Sequence, residues 1–197
     1  LLKQDIDILT KKSEIRGSDT FGVLIKDQST NSIFKINEDP SGALKRKDYK
    51  DFLNKKLKKN SDFISIIGQT RLVTNGSKFS ENNNQPILTD SIIGVHNGIF
   101  VDFEEDDLDK KTKNYESNSI KSDSLKFFEV VSDISHDDNF ANNFINTINK
   151  LNGNYSIAFT FKQYDQIFLT SNCGSLFYYH DKENSFFSFA SEKKILI

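Results

Sequence analysis

At 197 residues, with 36% hydrophobic and 12% aromatic side chains, the chain is long enough to bury a sizeable core. A formal net charge of −2 offers no global attraction to nucleic acid or anionic membrane, and no apolar run approaches the roughly 18 residues of a membrane span. One cysteine excludes an internal disulfide and suits a reducing compartment; with no signal-peptide pattern visible, a cytoplasmic location is expected.

No methionine occurs, even at position 1, so the chain is expected to begin inside a longer natural product. Leu2, Ile6 and Leu9 recur at helical spacing and predict the end of an amphipathic helix over 1–13. The loop RGSDTFG (16–22) leads into a strand FGVLIKD, a turn DQSTN and a second strand SIFKIN. A helix follows over 41–59, with Ser41 as a plausible cap and Leu44, Tyr49, Phe52, Leu53 and Leu57 on its inner side. DFISIIGQT is a strand, and RLVTNGSKFSENNNQPIL reads as loop.

In SIIGVHNGIF (91–100), Ile92, Ile93 and Val95 form a buried strand that meets His96-Asn97-Gly98 at its tip. Asn-Gly is the commonest tight-turn dipeptide, so one reading is a hairpin. The other is a side-chain amide and a bare backbone N–H aimed at a small ligand. A polar, acidic connection runs from Asp102 to Lys121, followed by a helix with Ser122 as N-cap. A second helix carries Phe140, Phe144, Ile145 and Ile148 on one face, and NYSIAFTFK, QIFLTS, LFYYH and SFFSFAS alternate as strands. The layout is α+β, without an internal repeat or visible domain boundary, so 1–197 is treated as one domain.

Four short pieces fall in order: RGSDTFG (16–22), TRLVTNG (70–76), VHNGI (95–99) and SDS (122–124). Together with the closing run LNGNYSIAFTF…SEKKIL, they resemble the class II glutamine amidotransferase domain of the N-terminal nucleophile hydrolases. The resemblance covers nearly the whole chain. It implies a four-layer αββα sandwich and hydrolysis of L-glutamine to glutamate, with ammonia passed to a synthase domain or partner. No cofactor, metal or nucleic acid is implied.

It also implies roles. Asn97 and Gly98 form the oxyanion hole, Arg71 grips the glutamine α-carboxylate, and Asp123 receives the α-ammonium. Thr74, Asn75 and Gly76 line the loop beside Arg71. The nucleophile is an N-terminal cysteine, on a Cys-Gly-Ile strand expected upstream of Leu1, so the first strand of the fold is expected to be missing. Leu72, where the glucosamine-6-phosphate synthase type has Trp, and Asp102, where Asn is usual, depart from the pattern. The VHNGI form resembles the sugar-aminating and phosphoribosyl-type enzymes more than asparagine synthetase. The alternative is an inactive amidotransferase-like binding or regulatory module.

Other features have plainer readings. Arg16 and Asp19 are expected to form a loop-stabilising ion pair or turn, with active-site neighbours as the alternative reading. Cys173 is expected to be a small turn-lining or buried thiol rather than a nucleophile. His96, His136 and His180 share no metal-ligand spacing, and the lysines at 45–59 read as a solvated face.

Overall fold

The structure, a computed structural model, describes residues 2–57, 63–72, 83–102 and 122–197. Strands β1 (Thr20–Asp27), β2 (Asn31–Ile36) and β3 (Ile64–Arg71) form one antiparallel sheet in the order β2-β1-β3. A second antiparallel sheet has the order β4-β5-β6-β7, from β4 (Ile87–Leu88), β5 (Ile92–Asp102), β6 (Asn152–Phe161) and β7 (Ile167–Ser171). Strands β8 (Phe177–Asp181) and β9 (Phe186–Ala190) pair as a hairpin. The helices are α1 (Leu2–Ser13), α2 (Pro40–Lys45), α3 (Lys47–Lys56), α4 (Asp123–Ile134), α5 (Phe140–Asn149) and the short α6 (Lys193–Leu196).

Period-2 alternation along the strands builds three apolar seams. On β1, Phe21, Val23 and Ile25 face α1, α2 and α3, meeting Ile6, Ala43, Tyr49 and Leu53. Leu24 points the other way and meets Ile67, Ile93, Val95 and Ala158 between the two sheets. Beyond the second sheet, Ile92, Ile157 and Phe159 pack on Leu125, Phe127, Phe128 and Val131 of α4, with Phe140 and Phe144 of α5 at the margin. Helix, sheet, sheet, helix is the four-layer αββα sandwich that the resemblance implies. Phe127, Phe128 and Phe159 are fully buried, at about 2–3 kcal/mol each. They fix α4 firmly against β5. No helix among the described residues is long and apolar enough to cross a membrane.

Several expectations change in detail. The helix expected over 41–59 divides at Arg46, whose backbone is extended (φ −70°, ψ 139°), into α2 and α3. Asp39, not Ser41, caps α2 by accepting from the Gly42 N–H at 2.7 Å. Ser41 instead joins the Lys11 and Glu14 side chains. Arg46 bridges Glu38 and Asp48 across the break, an arrangement that helical spacing cannot reveal. The hairpin reading of Asn97-Gly98 is also corrected. Strand β5 runs straight through both residues, and its pairing with β6 continues from Ile92 to Phe100. The Ser122 cap holds, accepting from the Leu125 N–H at 3.2 Å.

Lys26 is a buried charge at the end of β1. Its Nζ donates to the Lys162 carbonyl at 2.9 Å and to Asn31 Oδ1 at 3.3 Å, tying the first sheet to the β6–β7 turn. The Lys162 carbonyl also accepts from Asn31 Nδ2 at 3.1 Å. Asp165, 4.0 Å from the ammonium, stays half exposed. Lys26→Met therefore strands no buried acceptor or charge, and is expected to change unfolding free energy by no more than about 1 kcal/mol. Urea unfolding checks this; a loss several times larger would show that the ammonium itself holds the two sheets.

Candidate active site

The site is built on the stretch of β5 that β4 leaves uncovered. β4 pairs with Ile93 and Gly94, and among the described residues the edge from His96 onward has no strand neighbour on that side. Backbone groups alternate sides along a strand, and three observations fix which ones face this edge. The Gln85 side chain holds both backbone groups of His96, accepting from its N–H at 2.6 Å and donating to its carbonyl at 2.9 Å. The Phe100 N–H donates to Asp123 Oδ2 at 3.1 Å. On β6, Tyr155 (the partner of Gly98) directs its N–H and carbonyl away from β5, to Asn172 at 2.8 and 3.1 Å.

Gly98 shares the parity of His96 and Phe100, so its N–H also faces the edge, between the Gln85 and Asp123 contacts. No partner for it occurs among the described residues. Gly98 has φ +136°, and a Cβ there would lie 1.9 Å from the Asn154 carbonyl oxygen. Only glycine fits this close strand contact.

Asn97 has opposite parity and points between the sheets. It lines a cavity of about 650 Å³ with Gln69, Thr70, Ser156 and Arg16. Its Oδ1 accepts from Gln69 Nε2 on β3 at 2.7 Å. The Asn97 Nδ2 donors have no partner among the described residues. A side-chain amide and the next backbone N–H are thus both left open.

Arg71 ends β3 and is half buried. Its Nη1 donates to Asn84 Oδ1 at 3.2 Å, and Asn84 Nδ2 donates onward to Asn37 Oδ1 at 2.8 Å. Burial pulls the guanidinium below its ordinary pKa, while the charges of Asp123 and Asp19 pull it back up. Arg71 and Asp123 are therefore close enough to sense each other. Asp123 opens α4, its other oxygen accepting from the Ser124 N–H at 2.8 Å. The geometry brings together Arg71, Asn97, Gly98 and Asp123. Thr74, Asn75 and Gly76 lie outside the described residues.

His96 faces α4, buried, stacked on Phe100 at 4.2 Å between ring centroids. Its Nδ1 meets Ser124 Oγ at 2.8 Å, and Nε2 has no partner among the described residues. Burial lowers its pKa to about 4, against the opposing pull of Asp123. Arg16 pairs with Glu192 at 3.0 Å, joining the first motif to the closing SEK run as a loop clamp.

Cys173 lines the turn after β7 and is exposed rather than buried. Burial raises its thiol pKa, but hydrogen bonds from Ser156, the Ser175 backbone and Ser171 bring it down to about 7. Its Sγ lies 3.5 Å from Ser156 Oγ, and Ser156 is the strand partner of Asn97.

Sequence reasoning missed Asn83, Asn84 and Gln85. They read as an Asn-rich loop, yet all three are buried and staple the site together, Asn83 Oδ1 accepting from the Ser122 N–H at 3.0 Å. A polar run carries no periodic signal, so only Pro86 and the flanking strands hinted at an ordered segment. Gln69 likewise carries no local signal, because its contacts cross between distant strands.

Comparison with solved structures places the fold. Glutamine phosphoribosylpyrophosphate (PRPP) amidotransferase from B. subtilis, solved with ADP and GMP, superposes with a TM-score of 0.70 at 16% identity, over 98% of this chain and 40% of that one. A structure described as the allosteric regulatory enzyme of purine biosynthesis gives 0.59 at 18% identity, over 81% of this chain and 33% of that one. The chain thus spans two fifths or less of the length of these proteins. No curated protein matches the sequence. The profile of the glutamine amidotransferase domain matches residues 69–197, a stretch that takes in Arg71, Asn97, Gly98, Asp123 and the closing strands. By that match over most of its length, the chain belongs to the glutamine amidotransferase domain family.

Proposed function

We propose that residues 1–197 belong to one glutaminase domain that, together with a nucleophilic cysteine outside them, hydrolyses L-glutamine to glutamate and ammonia, the ammonia passing to a synthase domain or partner. The observation that carries this reading is the pair of open donors, Asn97 Nδ2 and Gly98 N–H, beside an Arg71–Asp123 pair of opposite charge. Free glutamine is a zwitterion, and both its charges need answering in a half-buried site. Arg71 binds the α-carboxylate through its forked guanidinium, and Asp123 receives the α-ammonium. This fixes the side-chain amide near β5.

A cysteine thiol outside residues 1–197, as the resemblance implies, attacks the amide carbon. Negative charge then develops on the amide oxygen, where Asn97 Nδ2 and Gly98 N–H stabilise it. Collapse of the tetrahedral intermediate breaks the C–N bond, the nitrogen leaving as ammonia with the proton the thiol gave up, and the remaining thioester is cleaved by water to glutamate and free thiol. These steps require no cofactor. The single-cysteine composition supports the cytoplasm as the place of action.

Glutamate release from glutamine by the full natural protein tests the reading. Arg71→Lys keeps a charge but loses the fork, and is expected to raise KM for glutamine about tenfold to a hundredfold with little change in kcat. No glutamate release from the wild type, or an unchanged KM in the variant, would count against the assignment.

A further inference from the structure

We infer that Gln69 is the positioning residue that presents Asn97 as an oxyanion donor. This rests on the proposed glutaminase reading and names the residue that makes its oxyanion hole competent. A side-chain amide has a donor end and an acceptor end, so Asn97 serves an oxyanion only if Nδ2 faces the substrate. Turned over, it would set Oδ1 against the developing negative charge.

The orientation follows from a chain of contacts that starts at a group able only to accept. Gln69 Nε2 lies 3.5 Å from the His96 carbonyl oxygen and 2.7 Å from the Asn97 side chain. The carbonyl cannot donate, so it holds the nitrogen end of the Gln69 amide towards β5. That nitrogen can only donate to Asn97, which must answer with Oδ1. Nδ2 is thereby turned outward, away from β3. The His96 carbonyl is itself fixed by Gln85 Nε2 at 2.9 Å, so the reference point is buried and tied on both sides. Gln69 and Asn97 come from different sheets, and both line the cavity between them.

Replacing the donor by an acceptor distinguishes positioning from packing. Gln69→Glu keeps the side-chain length but presents two acceptor oxygens to the His96 carbonyl and Asn97 Oδ1 when ionised. Asn97 relieves the repulsion by turning Nδ2 inward, which preserves a hydrogen bond and removes the oxyanion donor. In the full natural protein, kcat for glutamate release at pH 8 is expected to fall about a hundredfold, with KM within about twofold of wild type. Once protonated, the introduced carboxyl can donate again. The ratio of variant to wild-type kcat is therefore expected to rise as pH falls from about 8 to about 5.5, since burial beside acceptors pushes that carboxyl pKa up. Gln69→Leu, which neither donates nor repels, is expected to lose about tenfold with no such pH trend. On an Asn97→Ala background, Gln69→Glu is expected to cost nothing further.

Wild-type kcat in Gln69→Glu, or an equal loss from it on the Asn97→Ala background, overturns the positioning role. Asn97→Ala with full turnover, or a wild type that releases no glutamate, instead overturns the oxyanion reading, and this role with it. Should Gln69→Glu fail to fold, Gln69→Leu with undiminished kcat rejects the inference independently.

Discussion

Gly98→Ala is expected to destabilise the domain by about 2–6 kcal/mol and to abolish glutaminase turnover. Two costs add. The backbone at φ +136° lies where L-residues are strained, about 1–3 kcal/mol. The new Cβ would also sit 1.9 Å from the Asn154 carbonyl oxygen, and 2.8 Å from its carbon, on the facing strand. That obstacle is backbone, not the tip of a flexible side chain, so relief requires parting β5 from β6 where the site is built. Overpacking of this kind costs about another 1–3 kcal/mol. Gly174 is the control: its φ is +72°, with nothing within 4 Å of an added methyl, so Gly174→Ala should cost only about 1 kcal/mol. Urea unfolding of both variants measures the contrast. Equal costs would mean that dihedral strain alone, not the close approach of β6, demands glycine at 98.

The same residue shows what a single sequence can and cannot convey. The apolar run of Ile92, Ile93 and Val95 announced a buried strand, and Asn97-Gly98 announced a break in ordinary backbone geometry. Local pattern could not say whether that break turns the chain or only bends its conformation within a continuing strand. The answer lies in β6, some 57 positions away, which pairs with Gly98 through Tyr155. The helices and the closing strands were legible because burial imposes periodicity on apolar residues. Arg71, Asn97 and Asp123 were legible only as a set in order.

The staples behind the set were not legible. Gln85 reaches both backbone groups of His96 from eleven positions away, and Asn83 reaches the start of α4 across thirty-nine. Polar side chains that replace missing strand neighbours obey the demand for paired backbone groups, not a spacing rule. An Asn-rich run therefore looks the same whether it is solvated or buried.

One of these concealed arrangements sets the pH range in which the site survives. His96 is expected to make the domain lose about 3 kcal/mol of stability between pH 6.5 and 4, about 2 of it by pH 5. Its ring is sealed between Phe100 and α4, and the network reads consistently with Nδ1–H donating to Ser124 Oγ and the serine hydroxyl turning to Asp123 Oδ1 at 3.4 Å. That leaves Nε2 as a bare lone pair. Protonation there would bury an N–H without an acceptor, which is why the folded state holds the pKa near 4 rather than 6.5. On acidification the unfolded chain takes up the proton first, so stability is complete above pH 6.5 and drains as pH falls towards 4. His96→Gln should remove this component. Comparing urea unfolding at about pH 7.5 and about pH 5, the wild type should lose about 2 kcal/mol more than the variant; parallel losses would mean that the histidine is protonated in the fold. The carboxylates held low by local hydrogen bonds, Asp27, Asp48 and Asp181, lose their contribution only below the ordinary aspartate range, so they do not mimic the effect. Because Ser124 links His96 to Asp123, protonation also disturbs the residue proposed to hold the glutamine ammonium. Glutamine affinity should therefore weaken across the same interval, before the domain unfolds.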